Sequence, residues 1–539
     1  MNRSKLNITS TFNAELLTQP LQFWLDKLNF PYQIQFAPYN QIFQQLLNNS
    51  SILFRNSLGI NVILFRFEDW QQFNNIDKKD IQTSLHKITE RLIRAINYLG
   101  ANTNNPHLII SCPPSPNSNF SDYCIKFDDI LQSAIEQVYN CYFIHSNNIL
   151  MTYPVKNYYD KISDKHGHIP YTPPYFSSIA TMIARKIYAL HSPDYKVIVL
   201  DCDNTLWKGV CGEDGADGIN LSKPYLELQQ FMIEQYQKGM LLCLCSKNNE
   251  SDVMAVFEKR EDLLLKKEHL VTWQINWQLK SKNIKKIAEQ LNLGLNNFIF
   301  IDDNPVECAE VRANCSEVLT LELPVDDQKI LTFLKHVWAF DKLNVTPEDK
   351  ERTRFYKQDV ERKKMAENSS GLKQFLKEIN LQIDLSLLNE SHIPRFSQLS
   401  ERTNQFNFYK KKITEADLMQ FLFDTEKQCF VVHVKDIFGD YGLVGGILIH
   451  VSGKCLDVES FFLSCRALGK GVEHKMMAML GAFAIEKNIG QIHVDFKLTD
   501  RNEPALNFLE TLKRIDISKS NGKIIYIFEP EILKKINFE

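Results

Sequence analysis

The sequence predicts an α/β protein of three domains, the central one built on a doubly wound parallel sheet. Three observations predict it: the 539-residue length, apolar runs of strand length alternating with helical patterns, and polar chemistry placed at the carboxyl ends of those runs. Length comes first because one hydrophobic core rarely serves beyond roughly 250–300 residues, so about three domains follow. With 44% hydrophobic and 24% charged residues the chain has a globular composition, without the signature of a disordered one. The 62 basic and 65 acidic residues nearly cancel, and no basic run interleaved with aromatics tracks a phosphate backbone, which argues against nucleic acid as a partner. The polar stretch 1–23 has neither a signal-peptide core nor a spanning segment, so a cytoplasmic protein without membrane association is expected. Twelve cysteines occur with no Cys-x-x-Cys pair, several inside apolar runs, and reduced buried thiols are expected.

Residues 1–192 mix strand-like runs at 61–67, 107–111 and 141–145 with a helical stretch at 81–99, an α/β layer. The Pro-rich string Ile169-Pro170-Tyr171-Thr172-Pro173-Pro174, a helical run at 179–190 and the break His191-Ser192-Pro193-Asp194 close this unit. Residues 193–345 open on Lys196-Val197-Ile198-Val199-Leu200, apolar throughout, as a strand buried on both faces is. Further strands are predicted at 240–245 and 297–301, each after a helical pattern, giving a β-α-β rhythm. A charged helical connector at 346–371 leads to residues 372–539. There, strands at 429–434, 442–450 and 456–463 precede a helix at 472–487 and a strand at 492–496, an α+β arrangement.

The chemistry concentrates at three strand ends. Leu200 gives way to Asp201-Cys202-Asp203-Asn204-Thr205, whose two carboxylates share a face of an extended chain. Like charges this close are costly without a cation, and oxygen donors at a strand's carboxyl end suit Mg²⁺; alone, the pair also fits a solvated loop. The second strand ends in Ser246-Lys247-Asn248, donors for phosphate oxygens, although Lys247 fits a solvated side chain equally well. The third ends in Asp302-Asp303-Asn304-Pro305, a second acidic pair. Three buried strands that end this way point to one phosphoryl-transfer site.

The order Asp-x-Asp-x-Thr, Ser, Lys, Asp-Asp resembles the four signature motifs of the haloacid dehalogenase (HAD) superfamily. The strings Val199-Leu200-Asp201-Cys202-Asp203-Asn204-Thr205-Leu206-Trp207-Lys208-Gly209-Val210, Cys245-Ser246-Lys247-Asn248-Asn249, Trp277-Gln278-Leu279-Lys280-Ser281-Lys282-Asn283-Ile284 and Phe300-Ile301-Asp302-Asp303-Asn304-Pro305 are similar to its FkbH-like branch, subfamily IIIC. The resemblance implies that Asp201 is a nucleophile forming an aspartyl-phosphate, Asp203 the general acid and base, and Thr205 a further catalytic residue. It implies Ser246 and Lys280 as holders of the phosphoryl oxygens. Mg²⁺ would sit on Asp201, the backbone carbonyl of Asp203, and Asp302, with Asp303 an additional or alternative ligand.

The resemblance extends to both flanks. Phe36-Ala37-Pro38-Tyr39-Asn40-Gln41, Leu64-Phe65-Arg66-Phe67-Glu68-Asp69-Trp70 and Asp164-Lys165-His166-Gly167-His168-Ile169-Pro170-Tyr171 look like an SGNH-hydrolase-like leading domain. It implies Asp164 and His168 as acid and base of a triad, yet Phe36-Ala37-Pro38-Tyr39 stands where the first strand should deliver a Gly-Asp-Ser nucleophile. A binding or structural role is therefore expected there. Arg466-Ala467-Leu468-Gly469-Lys470-Gly471 resembles the acyl-CoA loop of GNAT acetyltransferases, with Arg466, Gly469 and Gly471 as cofactor contacts, and it also fits a plain strand–helix connection. Arg501-Asn502-Glu503-Pro504-Ala505 and Phe508-Leu509 fit that fold's last helix. Arg402-Thr403-Asn404-Gln405-Phe406-Asn407, typical of the family, is placed as a binding element without a derivable role.

For the whole chain the resemblance implies an enzyme that dephosphorylates a phosphorylated three-carbon donor, 1,3-bisphosphoglycerate. The glyceryl unit would pass to the phosphopantetheine thiol of an acyl carrier protein for polyketide or nonribosomal peptide assembly. Cys211 or Cys465 would serve as an acyl way station, or transfer would be direct; alternation turns Cys202 away from the carboxylates and into the core. The alternatives are a phosphatase of a free small phosphoester and a non-catalytic scaffold, which has no need of two closely spaced acidic pairs.

Overall fold

The computed structural model describes residues 4–72, 81–116, 118, 121–192, 195–343, 345, 349, 351–368, 372–411, 413–422, 424, 426–520 and 522–536. The architecture is the mixed, multi-domain α/β one that the sequence predicts, with three separate sheets. Pro193 and Asp194 of the expected first break, and residues 346–348, 350 and 369–371 of the connector, lie outside the described residues.

The first sheet is parallel, β2-β1-β3-β4-β5, from β1 (Ser4–Ser10), β2 (Tyr32–Phe36), β3 (Ile60–Phe65), β4 (His107–Ser111) and β5 (Cys141–Ile144). Leu6, Ile8, Val62 and Leu64 face the helix Pro173–His191, while Ile63, Phe65 and Ile109 face the helix Ile81–Asn102. Helices on both faces explain why β3 and β4 read as continuous apolar runs. The first strand, however, is Ser4–Ser10; Phe36 ends the second. Asn7 and Thr9 hide β1 from hydrophobic patterning, because both are buried polar residues, and Asn7 Nδ2 is satisfied by the Ile52 carbonyl.

The second sheet is also parallel, β10-β9-β6-β7-β8, from β6 (Val197–Leu200), β7 (Leu241–Ser246), β8 (Leu270–Ile275), β9 (Phe298–Asp302) and β10 (Leu319–Glu322). Side chains alternate between two cores, Ile198, Leu200, Leu244 and Ile301 on one face and Val197, Val199, Cys243 and Phe300 on the other. Leu200 lies in register between Leu244 and Ile301, and the Asp201 amide donates to the Ile301 carbonyl at 3.0 Å, so three strands end side by side. The three are not successive in sequence. Edge strand β8 intervenes, missed because Thr272, Trp273 and Gln274 break its apolar pattern, and it delivers the helix Lys280–Leu291.

The third sheet, β11-β12-β13-β14-β15-β17-β16, comprises Gln382–Leu387, Lys427–Asp436, Gly439–Ser452, Cys455–Leu463, Gln491–Phe496, Asp516–Ser520 and Lys523–Phe528 for β11 to β17. It is antiparallel except for β14 and β15, which pair in parallel only over Cys455–Val458 and Gln491–Val494. Beyond that the strands part, and residues 406–408 fill the gap. Leu463 N donates to Phe406 O at 2.9 Å and Phe408 N to Phe461 O at 3.0 Å, while Lys497 N donates to Phe408 O at 2.8 Å from the other side. The Phe408 ring stacks on Phe461 at 4.3 Å. Arg402, at the head of this string, is anchored by Asp349 at 3.0 Å. Among the described residues no helix is long and apolar enough to cross a membrane, and the twelve cysteines form no disulfide.

Inside the first unit His107 is buried between Asn61 Nδ2 (3.2 Å from Nδ1) and Thr103 Oγ1 (2.7 Å from Nε2). Asn61 Oδ1 accepts from Asn56 Nδ2, which fixes the Asn61 amide, so Nδ1 is the acceptor and Nε2 carries the proton. Burial pushes the His107 imidazole down to about 3. The unfolded chain, whose histidine titrates near the ordinary ~6.5, then binds the extra proton first, so this contribution to stability is complete above that pH and lost progressively toward about 3. The thermal unfolding midpoint should fall with pH across this window in the wild type, and less steeply in His107→Gln.

Candidate active site

The carboxyl ends of β6, β7 and β9 meet around one ammonium group. Lys280, the first residue of its helix, is 2% exposed; its Nζ donates to Asp201 Oδ1, donates to the Cys245 carbonyl at 2.8 Å and faces Asp302 Oδ2 at 3.0 Å. Two flanking carboxylates hold the lysine charged against the cost of burial and raise its pKa. Ser281 fixes the start of the helix, its amide donating to Glu310 Oε2 at 3.0 Å.

After Asp201 the chain turns. Asn204 sits in the left-handed region (φ 53°) and its Oδ1 accepts from Gly209 N at 3.0 Å, closing a loop that a β-branched residue at 204 would strain. The turn sends Asp203 to a different set of partners. Its Oδ1 accepts from Trp207 Nε1 (2.8 Å) and Cys211 N (3.0 Å), and its Oδ2 from Asn248 Nδ2 (2.7 Å). Trp207 and Asn248 were not singled out from sequence as partners of this carboxylate. Both are buried, and the signal available was only that Asn248 follows the Ser246 strand end.

Asp201, Asp302 and Asp303 each offer a carboxylate oxygen within 4.8 Å of the others. Asp302 Oδ1 accepts from Asn304 N at 2.8 Å, while its buried Oδ2 accepts no hydrogen bond and meets only the Lys280 charge. Burial, and then the Asp201 charge, push the Asp302 carboxyl up to about 6 and raise that of Asp303. Three carboxylates within reach of one another, two of them beside one ammonium, form the donor set of a hard divalent cation, and Mg²⁺ fits it. The Asp203 carboxylate is taken by its three donors and stands outside that cluster.

Ser246 is buried at the end of β7, and Thr205 Oγ1 reaches Asp303 Oδ1 at 3.4 Å. Lys247 is partly exposed and paired with Glu307 at 2.7 Å, outside the carboxylate cluster. Cys202 packs with Ile198 and Leu200. Cys211 is buried, receives Asn248 Nδ2 at 3.4 Å, and has its thiol pushed up to about 12 by burial and by Asp203.

In the first unit the side chains of Asp164 and His168 meet different carboxylate and guanidinium partners. Arg66, fully buried, binds Asp164 (Nη1 to Oδ2, 3.1 Å), Asp69 (Nε to Oδ1, 2.8 Å) and Glu68 (3.0 Å), while His168 Nε2 faces Asp69 Oδ1 at 3.1 Å. The hydroxyl at the end of β1, Thr11 Oγ1, donates to Asp69 rather than to His168. The expected acid–base pair is thus divided by an arginine clamp, which ties the carboxyl ends of β1 and β3 to the 160–168 segment.

In the third unit Gly469 and Gly471 both have positive φ (74° and 80°), and Gly471 is the N-cap of the helix Val472–Glu486. The loop lies under the helix Arg352–Asn368. The Arg466 guanidinium stacks over Phe355 at 4.6 Å, and Lys470 Nζ pairs with Asp359 Oδ1 at 3.2 Å.

No family model matches the sequence, and no curated protein does. Among solved structures the chain resembles the N-terminal part of protein BF1531 from Bacteroides fragilis, described as containing a phosphatase domain complexed with Mg. Identity is 22% and the TM-score 0.53, over 64% of this chain and 94% of that one. That likeness shows a shared fold. Over 28% of this chain there are overlaps with the ribosomal-protein-S18-alanine N-acetyltransferase of Escherichia coli (9% identity, 94% of that chain, TM-score 0.22). A second is with the PaiA N-acetyltransferase of Thermoplasma acidophilum in complex with coenzyme A (10% identity, 99% of that chain, TM-score 0.23).

Replacing Lys280 by Met strands two buried carboxylates, a loss on the order of 3–5 kcal/mol. The Lys280→Met variant should melt well below the wild type in EDTA, and saturating Mg²⁺ should raise its midpoint by more than it raises the wild type's, because the cation then restores the missing charge.

Proposed function

We propose that the chain is a Mg²⁺-dependent phosphatase and acyltransferase of the FkbH-like, subfamily IIIC kind. Its substrate would be a phosphoglyceryl donor, 1,3-bisphosphoglycerate, and its product a glyceryl thioester on the phosphopantetheine of an acyl carrier protein serving polyketide or nonribosomal peptide assembly. The observation that carries the phosphatase half is the meeting of Asp201 and Asp302 around Lys280 at neighbouring strand ends.

In this reading an Asp201 oxygen attacks the phosphorus of the C3 phosphate ester. An O–P bond forms to Asp201, the ester O–P bond breaks, and Asp203 delivers a proton to the departing C3 oxygen. Lys280 and Ser246 hold the phosphoryl oxygens while Asn248 and Trp207 keep the Asp203 carboxyl in place. Asp203 then takes a proton from water, whose oxygen bonds to phosphorus as the Asp201–phosphorus bond breaks, releasing inorganic phosphate. Asp201, Asp302, Asp303 and the Asp203 carbonyl would hold Mg²⁺, which would supply positive charge to the phosphoryl oxygens.

The acyl half rests on the resemblance and on the Gly469–Gly471 loop, whose left-handed glycines leave helix N-terminal amides for a pantetheine phosphate. The carrier thiolate attacks the C1 carbonyl, a C–S bond forms, and the C1 phosphate leaves as inorganic phosphate with the C–O electrons. The burial that raises the Cys211 thiol makes it a poor intermediate nucleophile, which leaves the half-buried Cys465 or direct transfer. A cytoplasmic setting accords with the unpaired cysteines.

Intact-mass spectrometry of a phosphopantetheinylated carrier protein, incubated with the enzyme, Mg²⁺ and 1,3-bisphosphoglycerate, tests this. The expected product is a glyceryl adduct with the wild type and, with Asp201→Asn, an adduct heavier by one phosphate group or none. Phosphate release without any adduct would favour a phosphatase of a free phosphoester, and neither signal would favour a scaffold.

A further inference from the structure

The ion pair between Lys247 and Glu307 takes no part in the phosphoryl steps, yet its place in the fold is specific. Strand order puts β9 on one side of β6 and β7 on the other, and Leu200 lies in register with both. Lys247 is the first residue past β7, and Glu307 lies in the first turn of the helix Pro305–Asn314, which follows β9. Their contact, Nζ to Oε1 at 2.7 Å, therefore spans the carboxyl end of β6, where Asp201 stands. The two side chains are 31% and 17% exposed, which puts the pair at the rim of the site and within reach of solvent.

Lys247 Nζ gives one proton to Glu307, its one hydrogen bond among the described residues, and keeps two for a further acceptor. A partly exposed pair of this kind is weak and admits a new partner readily, unlike the buried Lys280 cluster. Nearby carboxylates are turned elsewhere: Glu250 to Trp273 Nε1 at 2.7 Å, Asp252 to Asn249 Nδ2 at 3.1 Å, and Glu310 to the Ser281 amide at 3.0 Å. The charge balance at this edge gives the lysine its meaning. Asp201, Asp203, Asp302 and Asp303 stand against Lys280 alone, and a divalent cation would offset two of the three remaining charges, while Lys247 and Glu307 cancel each other. An anion at this edge is therefore repelled except at the free protons of Lys247. Lys208, also beyond β6, is 59% exposed and is held by Asp327 at 3.0 Å, past β10.

We propose that Lys247 is the residue with which this site takes a second anionic group on its substrate, a phosphate ester that also carries a carboxylate or another phosphate. Glu307 holds the lysine over the end of β6 and weakens its pull on other anions. The inference rests on the reading of the carboxylate cluster as a phosphatase site, and adds the residue that selects among phosphoesters. A purely structural ion pair predicts something different, because each partner would then matter equally and losing either would act alike on every ligand.

Isothermal titration of the full-length protein with Mg²⁺ tests this with two phosphonates that resist hydrolysis: 4-phosphonobutyrate, which ends in a carboxylate, and butylphosphonate, which does not. The wild type should bind 4-phosphonobutyrate more tightly, and Lys247→Met should lose about tenfold for that ligand, bringing the two together. Lys247→Arg should retain most of the preference. Glu307→Gln keeps an acceptor for the lysine but removes the charge, and should tighten 4-phosphonobutyrate by about threefold. Melting curves of the variants check that each is folded. No preference in the wild type, no binding of either phosphonate, or equal weakening by Lys247→Met and Glu307→Gln would overturn the proposal. Mg²⁺-dependent hydrolysis of p-nitrophenyl phosphate by the wild type reports on the phosphatase reading separately. Its absence would sink that reading and leave the binding preference standing, whereas hydrolysis without the preference would sink the proposal alone.

Discussion

One buried ammonium group organises the centre of this molecule. Lys280 is nearly inaccessible, and its charge is tolerable only because Asp201 and Asp302 flank it and the Cys245 carbonyl accepts a further hydrogen bond. The reverse also holds, since two carboxylates this close and this buried would repel without it. That mutual dependence constrains the sheet. The order β9-β6-β7 must bring the ends of three strands together, and β8 must run to the sheet edge so that its helix starts with Lys280 over the gap. The site is thus a property of strand order as much as of the residues themselves, at the carboxyl edge where open parallel sheets gather their chemistry.

Two aspartates separated by one residue are given different environments by the turn between them. Asp201 stays in line with β6 and meets the lysine. Asp203, beyond the point where the chain leaves the strand, is gripped by an indole, a backbone amide and the Asn248 side chain. The left-handed Asn204 and the Gly209 hydrogen bond make this divergence possible. In the proposed mechanism this separation assigns one carboxyl group to bonding and the other to proton transfer.

Much of this was legible in the sequence because each strand of the site is buried on both faces and ends abruptly in polar residues. Val197 to Leu200 is apolar without interruption, so Asp201 stands out. The parts that were not legible share a physical cause, polar groups taken into the protein. Asn7 and Thr9 made β1 look like a polar terminus, and Gln274 beside Thr272 disguised β8. The partners of Asp203 are likewise long-range. Asn248 is 45 residues away in sequence, and no local pattern reports such a hydrogen bond. The Asp164 and His168 spacing was read as a pair, whereas Arg66, nearly a hundred residues earlier, separates them. Phe406 and Phe408 look like ordinary core residues in sequence; only the parting of β14 and β15 shows why a backbone segment is needed there.

The central claim is that Asp201 becomes covalently phosphorylated. Rapid acid quenching of the enzyme with Mg²⁺ and a radiolabelled phosphoester, followed by peptide mapping, measures it directly. The account predicts acid-stable, hydroxylamine-labile label on the peptide containing Asp201, accumulating further in Asp203→Asn, where the water that clears the intermediate lacks its base. Turnover with no label on that peptide in either protein would contradict it.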